Sequence, residues 1–344
     1  MAAPPPKHSW VRGALSGATM GSYLLERLLG EGGMGEVYSA RQRKTGRRVA
    51  VKVLIEARVQ GLSLRERFER EWRVLQHIVH PNVVALLDWP ETRDGPMFFA
   101  MELLEGEPLS SLLEREERLP IDQVIDLATQ LARGLSAVHD AGIVHRDVKP
   151  QNVFLCTTPP AGAPSSGLHV KLLDFGLARV VGSQITGSGL IVGTPAYVAP
   201  EQASGDLVDL RTDVYALGLV LYRSITGQHP FSSEDQVATL GHQLLSPPPP
   251  LSWLREDVPP SLEALVLRML RKRPEDRPAS MDEVLSSLLE AERRTIPPGS
   301  GFIVDGPSDE RLSNPPDDRY GPLNPLTESL VKNALVAKGF RSKG

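Results

Sequence analysis

The chain is nearly free of cysteine: Cys156 stands alone among 344 residues. A single thiol excludes an intramolecular disulfide, and a small buried hydrophobe is a better reading of it than a reactive group. The count fits a reducing compartment. Long apolar runs are also missing, so nothing approaches the roughly 20 residues of a membrane span. The N-terminal MAAPPPKHSW lacks the apolar core of a signal peptide. A soluble, cytoplasmic protein is the expectation. Nor is there an excess of one charge: 38 basic against 42 acidic residues leave a net charge of −4. That balance argues against nucleic acid as a partner, since no broad basic footprint is available, although a local basic cluster stays open.

What is present is ordinary for a globular protein, with 41% hydrophobic and 23% charged residues. The length suffices for a core divided over more than one lobe. Residues 1–20 are rich in Pro, Gly, Ala and Ser and read as a disordered lead-in. From Tyr23 to Leu103 short apolar runs alternate with turns. RVAVKVL at 48–54 is the clearest strand, with Val49, Val51 and Val53 on one face and Ala50, Lys52 and Leu54 on the other. YLLERLL at 23–29 and MFFAMELL at 97–104 are further strand candidates, and LRERFEREWRVLQHI at 64–78 has helical spacing.

Beyond about residue 109 the pattern is helical. Ile121, Val124, Ile125, Ala128, Leu131, Leu135 and Val138 form one stripe. DVYALGLVLYRSITG at 213–227 is apolar nearly all round and reads as a buried central helix. Leu262, Leu265, Val266 and Met269 make another stripe, and Met281, Val284, Leu285 and Leu288 a last one. Strands first and helices later predict an α+β fold with two segregated lobes, a small antiparallel sheet lobe over 21–104 and a larger, mainly helical lobe over 105–292. TTPPAGAPSSG at 157–167 is an insertion. SPPPPL at 246–251 reads as a loop between helices in preference to a polyproline ligand. A Pro-rich tail fills 293–344, with a candidate short helix at 325–338 flanked by Asn324 and Gly339.

HRDVKPQN at 145–152, followed by DFG at 174–176, carries the chemistry. Asp147 can accept a proton, Lys149 can neutralise phosphate, and Asn152 and Asp174 offer the hard oxygen ligands that Mg²⁺ prefers. These are the parts of phosphoryl transfer. His145 reads as a packed histidine supporting the loop, because Asp147 already fills the role of base. At the other end, GEGGMGEVY at 30–38 holds GxGxxG. Strand-like sequence continues on its far side, unlike a dinucleotide fingerprint that opens a helix. Gly30, Gly32 and Gly35 are therefore expected on a hairpin whose backbone N–H groups approach phosphates. In the 64–78 segment Phe68, Trp72, Leu75 and Val79 mark a core face, and Glu71 shares it. A carboxylate there needs a cation, and Lys52 is the natural candidate.

In this order GEGGMGEV, AVK at 50–52, Glu71 before HPNVV, HRDVKPQN, DFG, GTPAYVAPE at 193–201, DVYALG at 213–218 and RPEDRPAS at 273–280 make a specific set. The chain resembles the eukaryotic-type, or Hanks-type, bacterial protein Ser/Thr kinases over roughly residues 23–290. The resemblance implies an ATP-dependent enzyme that phosphorylates Ser or Thr of protein substrates, uses Mg²⁺ with Mn²⁺ as a substitute, and serves signal transduction. It implies that Met101 is a gatekeeper and Glu102 to Leu104 a hinge for adenine, with Val37, Ala50 and Phe154 sandwiching the ring. Lys52 and Glu71 would pair, and Glu201 would pair with Arg277. Asp213 would cap the catalytic loop, and Thr194 would contact Asp147 and Lys149. Arg146 would meet a phosphate on the activation loop, at Thr186 or Ser188, with Ser183 a weaker candidate. A non-catalytic nucleotide-binding scaffold and a small-molecule phosphotransferase are the alternatives. The intact set Lys52, Glu71, Asp147, Asn152 and Asp174 argues against the first, and GTPAYVAPE against the second. Oligomeric state is left open by the sequence.

Overall fold

Residues 13–32, 35–54, 72–89, 96–158, 168–174, 195–231 and 236–295 are described by a computed structural model. Period-two alternation of β-branched and aromatic residues builds the first lobe. Its strands are β1 Thr19–Met20, β2 Tyr23–Gly32, β3 Gly35–Gln42, β4 Arg48–Leu54, β5 Leu86–Asp88 and β6 Phe98–Glu102. They form one antiparallel sheet in the order β1-β2-β3-β4-β6-β5. The expected alternation in β4 divides two cores. Val49, Val51 and Val53 join Tyr23, Leu25 and Tyr38 on one face. Ala50 and Leu54 join Trp72, Leu75, Phe99 and Met101 on the other.

Two expectations change here. Val79, placed on the helical core face, is 94% exposed. Among the described residues the helix of that segment covers 72–75 and gives way to a turn, so helical periodicity no longer applies at Val79. The lead-in is also shorter than composition suggested. Residues 13–17 turn, and Thr19–Met20 pairs with Tyr23–Leu24. Gly17 N–H donates to the Leu25 carbonyl and Leu25 N–H to that of Ala18, at 2.8 and 2.9 Å. Burial of Met20 against the sheet core outweighs the chain's Gly/Ala bias.

The second lobe begins with a small sheet, β7 Gly106–Pro108, β8 Val153–Cys156 and β9 His169–Leu172. The insertion at 157–167 joins β8 to β9, and 159–167 lie outside the described residues. Helices follow: α1 Leu109–Glu116, α2 Ile121–Asp140, α3 Pro200–Ser204, α4 Arg211–Thr226, α5 Gln236–Leu245, α6 Pro260–Met269 and α7 Met281–Thr295. In α4 only Arg211 and Arg223 escape burial, as an all-round apolar helix requires. It stops at Gly227, whose φ of 78° favours glycine. The α2, α6 and α7 stripes meet α4 in one core. Residues 246–250 open the connection between α5 and α6, and Tyr222 donates its hydroxyl to the Pro249 carbonyl at 3.1 Å. One carbonyl of the proline run is thus tied to the central helix. No helix among the described residues is long and apolar enough to cross a membrane. The candidate helix at 325–338 lies outside the described residues.

The lobes are stitched together beside the site. Val84 N–H donates to the Leu172 carbonyl at 3.0 Å, and Leu172 N–H to that of Asn82 at 2.9 Å. The Asn82 amide reaches the Val170 carbonyl at 2.9 Å. This stitch fixes β9, and with it the approach to Asp174, against the first sheet.

Candidate active site

The loop 145–152 owes its shape to a carboxylate in the buried helix. Asp213, in the first turn of α4, is fully buried and accepts the N–H groups of His145 and Arg146, each at 2.7 Å. It also meets His139 Nε2 at 2.8 Å. These bonds satisfy backbone donors that no strand or helix serves, and they hold Arg146 at a left-handed φ of 64°. The expected cap by Asp213 is thus present. His145 is buried, with Nδ1 accepting the Asp147 N–H at 3.3 Å and Nε2 donating to the Leu173 carbonyl at 3.0 Å. That arrangement makes it the packed support expected from the sequence.

Asp147, Lys149 and Asn152 come together in one cluster. Lys149 Nζ reaches both Asp147 carboxylate oxygens, at 2.9 and 2.8 Å. Asn152 Nδ2 donates to the Asp147 carboxylate and to its carbonyl, both at 2.8 Å. Its amide nitrogen being committed, the Asn152 side chain has its carbonyl oxygen to offer elsewhere. A 3₁₀ turn, Pro150–Asn152, runs straight into β8 and sets this spacing.

Across the cleft, Lys52 from β4 reaches Asp174 Oδ1 at 2.5 Å. Asp174 follows β9 and sits at a left-handed φ of 47°. Burial alone would push its carboxyl up, but Lys52, with His145 and Lys149 near, holds it below the ordinary carboxylate range. The Lys52–Glu71 pair expected from spacing cannot be placed, because Glu71 lies outside the described residues. So do Thr186, Ser188, Ser183 and Thr194. Among the described residues no cluster of three His, Cys, Asp or Glu side chains suits a metal. Asp174 and Asn152 supply one charged and one neutral oxygen donor, which fits a hard cation that takes its remaining ligands from phosphate and water.

Gly30 and Gly32 lie on the β2–β3 hairpin, opposite Val37 and Gly35. Among the described residues no atom lies within 4 Å of where a Cβ on Gly30 or Gly32 would stand, so they leave that space open. Val37, Ala50, Met101 and Leu104 share one apolar cluster. Phe154 alternates with Val153 and Leu155 on β8; those two face the helical core, so Phe154 faces the opposite way. The Glu102 side chain turns away from that cluster. Its carboxylate accepts Lys171 Nζ at 2.6 Å and the Ala85 N–H at 2.7 Å, and its own N–H donates to Ala85 at 2.9 Å. Leu103 and Leu104, which follow it, pack against the apolar cluster.

The expected Glu201–Arg277 pair is bidentate, at 2.8 Å for each bond, and buried on both sides. Arg277 also donates to the carbonyls of Arg271, Arg211 and Lys272, and Thr212 Oγ1 donates to Glu201 at 2.7 Å. Sequence reading missed Gln202, which accepts Ala199 N–H at 3.1 Å and donates to the Arg146 carbonyl at 3.2 Å. Its position three residues into α3 is the signal that could have found it, since a Gln there reaches back to the helix start. Lys171, Lys272, His229 and Gln243 were also missed; nothing in their spacing marks them.

The sequence matches the protein kinase domain over residues 23–289. The chain belongs to the protein kinase family. It is 39% identical over 283 residues to serine/threonine-protein kinase pkn3 of Myxococcus xanthus, covering 80% of this chain and 51% of that protein. It is 35% identical to PknB of Mycolicibacterium smegmatis, over 87% of this chain and 47% of that one. The chain thus spans about half the length of these curated relatives. The crystal structure of the Mycobacterium tuberculosis PknI kinase domain superposes with a TM-score of 0.63 at 31% identity, covering 80% of this chain and 98% of that one. This kinase fold is the α+β, two-lobed architecture expected from the order of strands and helices.

Proposed function

We propose that this kinase domain transfers the γ-phosphate of ATP to Ser or Thr hydroxyls of protein substrates. The observation that carries the reading is the cluster in which Lys149 and Asn152 hold the Asp147 carboxylate. A carboxylate fixed from two sides can orient an acceptor hydroxyl and accept its proton, help worth about 10²–10⁴-fold. Lys149 stays within reach of charge developing on the transferring group. Lys52 would meet the donor phosphates, and the glycine hairpin would bring N–H groups over them. Val37, Ala50, Met101, Leu104 and Phe154 would enclose the adenine. Asn152 and Asp174 would hold a divalent cation, Mg²⁺ or Mn²⁺, which when bound neutralises phosphate charge. Glu71 would support Lys52, and Thr194 would contact Asp147 and Lys149.

Regulation through the activation loop is part of the reading. Arg146 Nε is buried and has no hydrogen-bond partner among the described residues. An orphaned guanidinium nitrogen costs free energy unless an acceptor arrives. Phosphate on Thr186 or Ser188 would supply one and order the loop. Phosphosite mapping that finds fully active enzyme unmodified at both positions contradicts this.

The test of the activity is purified protein with labelled ATP, Mg²⁺ and a generic protein acceptor. Wild type labels itself or the acceptor, on Ser or Thr after acid hydrolysis. Asp147→Asn loses about 10²–10⁴-fold, and Lys52→Met is similarly weak. Equal labelling by wild type and both variants refutes the assignment.

A further inference from the structure

One backbone carbonyl in the segment before α3 is gripped twice. Ala196 lies in the short 3₁₀ turn Pro195–Tyr197, just before α3. His229 Nε2 donates to its carbonyl at 2.7 Å, and Gln243 Nε2 donates to the same oxygen. Both lone pairs of that oxygen are then used, so the peptide unit cannot rotate and is closed to other donors. Each donor is itself fixed. His229 Nδ1 accepts the Phe231 N–H at 3.2 Å, which assigns the proton to Nε2. Gln243 is fully buried and its Oε1 accepts the Tyr215 hydroxyl at 2.8 Å, which assigns its nitrogen to Ala196. Lys272 Nζ holds the Gln243 carbonyl at 2.7 Å, with its ammonium 3.8 Å from the Phe231 ring centre. The Tyr197 ring stands edge-on to His229 at 5.2 Å.

The same segment touches the chemistry. Gln202 ties Ala199 N–H to the carbonyl of Arg146, the residue before Asp147. The stretch 195–199 is therefore braced against the catalytic loop on one side and gripped from below by α5 and the 227–231 turn. On the protein-kinase reading, a peptide offering a hydroxyl to Asp147 would run past this stretch, which Gln202 ties to the residue before that base. We propose that His229 and Gln243 are positioning residues for the protein acceptor: by fixing the Ala196 carbonyl they set the surface on which the acceptor peptide lies. Neither touches ATP or the reacting atoms. Their loss therefore raises the KM for peptide and spares both kcat and the KM for ATP. The inference rests on the protein-kinase reading.

Two readouts test it on the full chain. The first is steady-state kinetics with a Ser/Thr peptide that the wild type phosphorylates. The second is backbone hydrogen exchange of the segment 195–200, which needs no activity. His229→Ala and Gln243→Met each raise peptide KM by about five- to tenfold, the effect of one lost hydrogen bond, and speed exchange by a similar factor. His229→Gln, which keeps a donor near the Nε2 position, returns peptide KM to within about twofold of wild type. His229→Asn, which keeps only the partner for Phe231 N–H, does not. Thermal unfolding identifies any variant that fails to fold, and His229→Asn guards against that failure in His229→Ala. Unchanged peptide KM in His229→Asn and Gln243→Met overturns the proposal, even if exchange quickens. So does an equal fall in kcat and rise in ATP KM. A wild type that phosphorylates no peptide overturns the parent reading, and the acceptor role with it, before any variant is compared.

Discussion

At the scale of single residues, burial without an opposite charge sets the titration of the lower lobe. His229 sits with its Nε2 proton on a carbonyl, and burial pushes its imidazole down from 6.5 to about 4. Its neutral form is the one that folds. The unfolded chain takes up a proton below about 6.5 while the native chain resists until about 4, so stability is full above pH 6.5 and falls as pH drops toward 4. Urea unfolding should show about 2 kcal/mol lost between pH 7 and 5 from this residue, and His229→Gln should lack that part of the slope. A variant with the wild-type slope contradicts the assignment. Lys272 runs the same way at higher pH: burial, with Arg277 near, pushes its ammonium down from 10.5 to about 7. Cys156 is half-buried and not the fully buried hydrophobe expected, and its thiol is pushed up by what burial it has. A raised thiol is a poor nucleophile, which fits a structural and not a reactive cysteine.

Among elements, the glycine hairpin separates two uses of a missing side chain. A Cβ on Gly35 would fall 1.9 Å from the Val53 carbonyl oxygen, so β3 and β4 approach each other only because residue 35 has none. A Cβ on Gly32 would meet no described residue within 4 Å. Gly35→Ala should therefore lose about 1–3 kcal/mol of stability through forced strand displacement. Gly32→Ala should stay within about 0.5 kcal/mol of wild type, so any loss of ATP affinity there reports blocked phosphate approach. Thermal unfolding and nucleotide titration of the two variants check the contrast; equal destabilisation by both would contradict it. The same element shows the reach of pattern reading. Alternation in β4 gave its two faces correctly, since each strand residue meets a different core. In the segment ending at Val79 the pattern ran past the end of the helix, because a spacing of four carries no mark of where the chain turns.

Over the whole molecule, stability depends on bonds that join residues far apart in sequence. Glu201 and Arg277 are separated by 76 positions and fully desolvated, and their pair closes the α3 start onto the segment before α7. Arg277→Met leaves a buried carboxylate without its cation and should cost about 3–5 kcal/mol, read from urea midpoints. The double variant Glu201→Met, Arg277→Met should recover much of that loss, because no orphaned charge remains. A single variant as stable as wild type would show the pair to be dispensable. The stitch of Asn82 and Val84 to β9, with Lys52 held by Asp174, joins the lobes across the cleft that the proposed chemistry needs.

The sequence by itself determined the kinds of groups present and their order: strands before helices, a glycine hairpin, and Asp147, Lys149 and Asn152 within one short run. It did so because hydrophobic period and local motif are properties of neighbours along the chain. Arg277 as partner of Glu201 and Asp213 as cap came from resemblance to a family, not from spacing. Only the tertiary structure decided that Lys52 meets Asp174, that Glu102 turns back to Lys171, and that His229 and Gln243 converge on one carbonyl. These contacts join positions in different elements: β4 and β6 with β9 and its end, and α5 and the 227–231 turn with the 3₁₀ turn before α3. No local pattern encodes a distance between elements, so packing alone makes those partners.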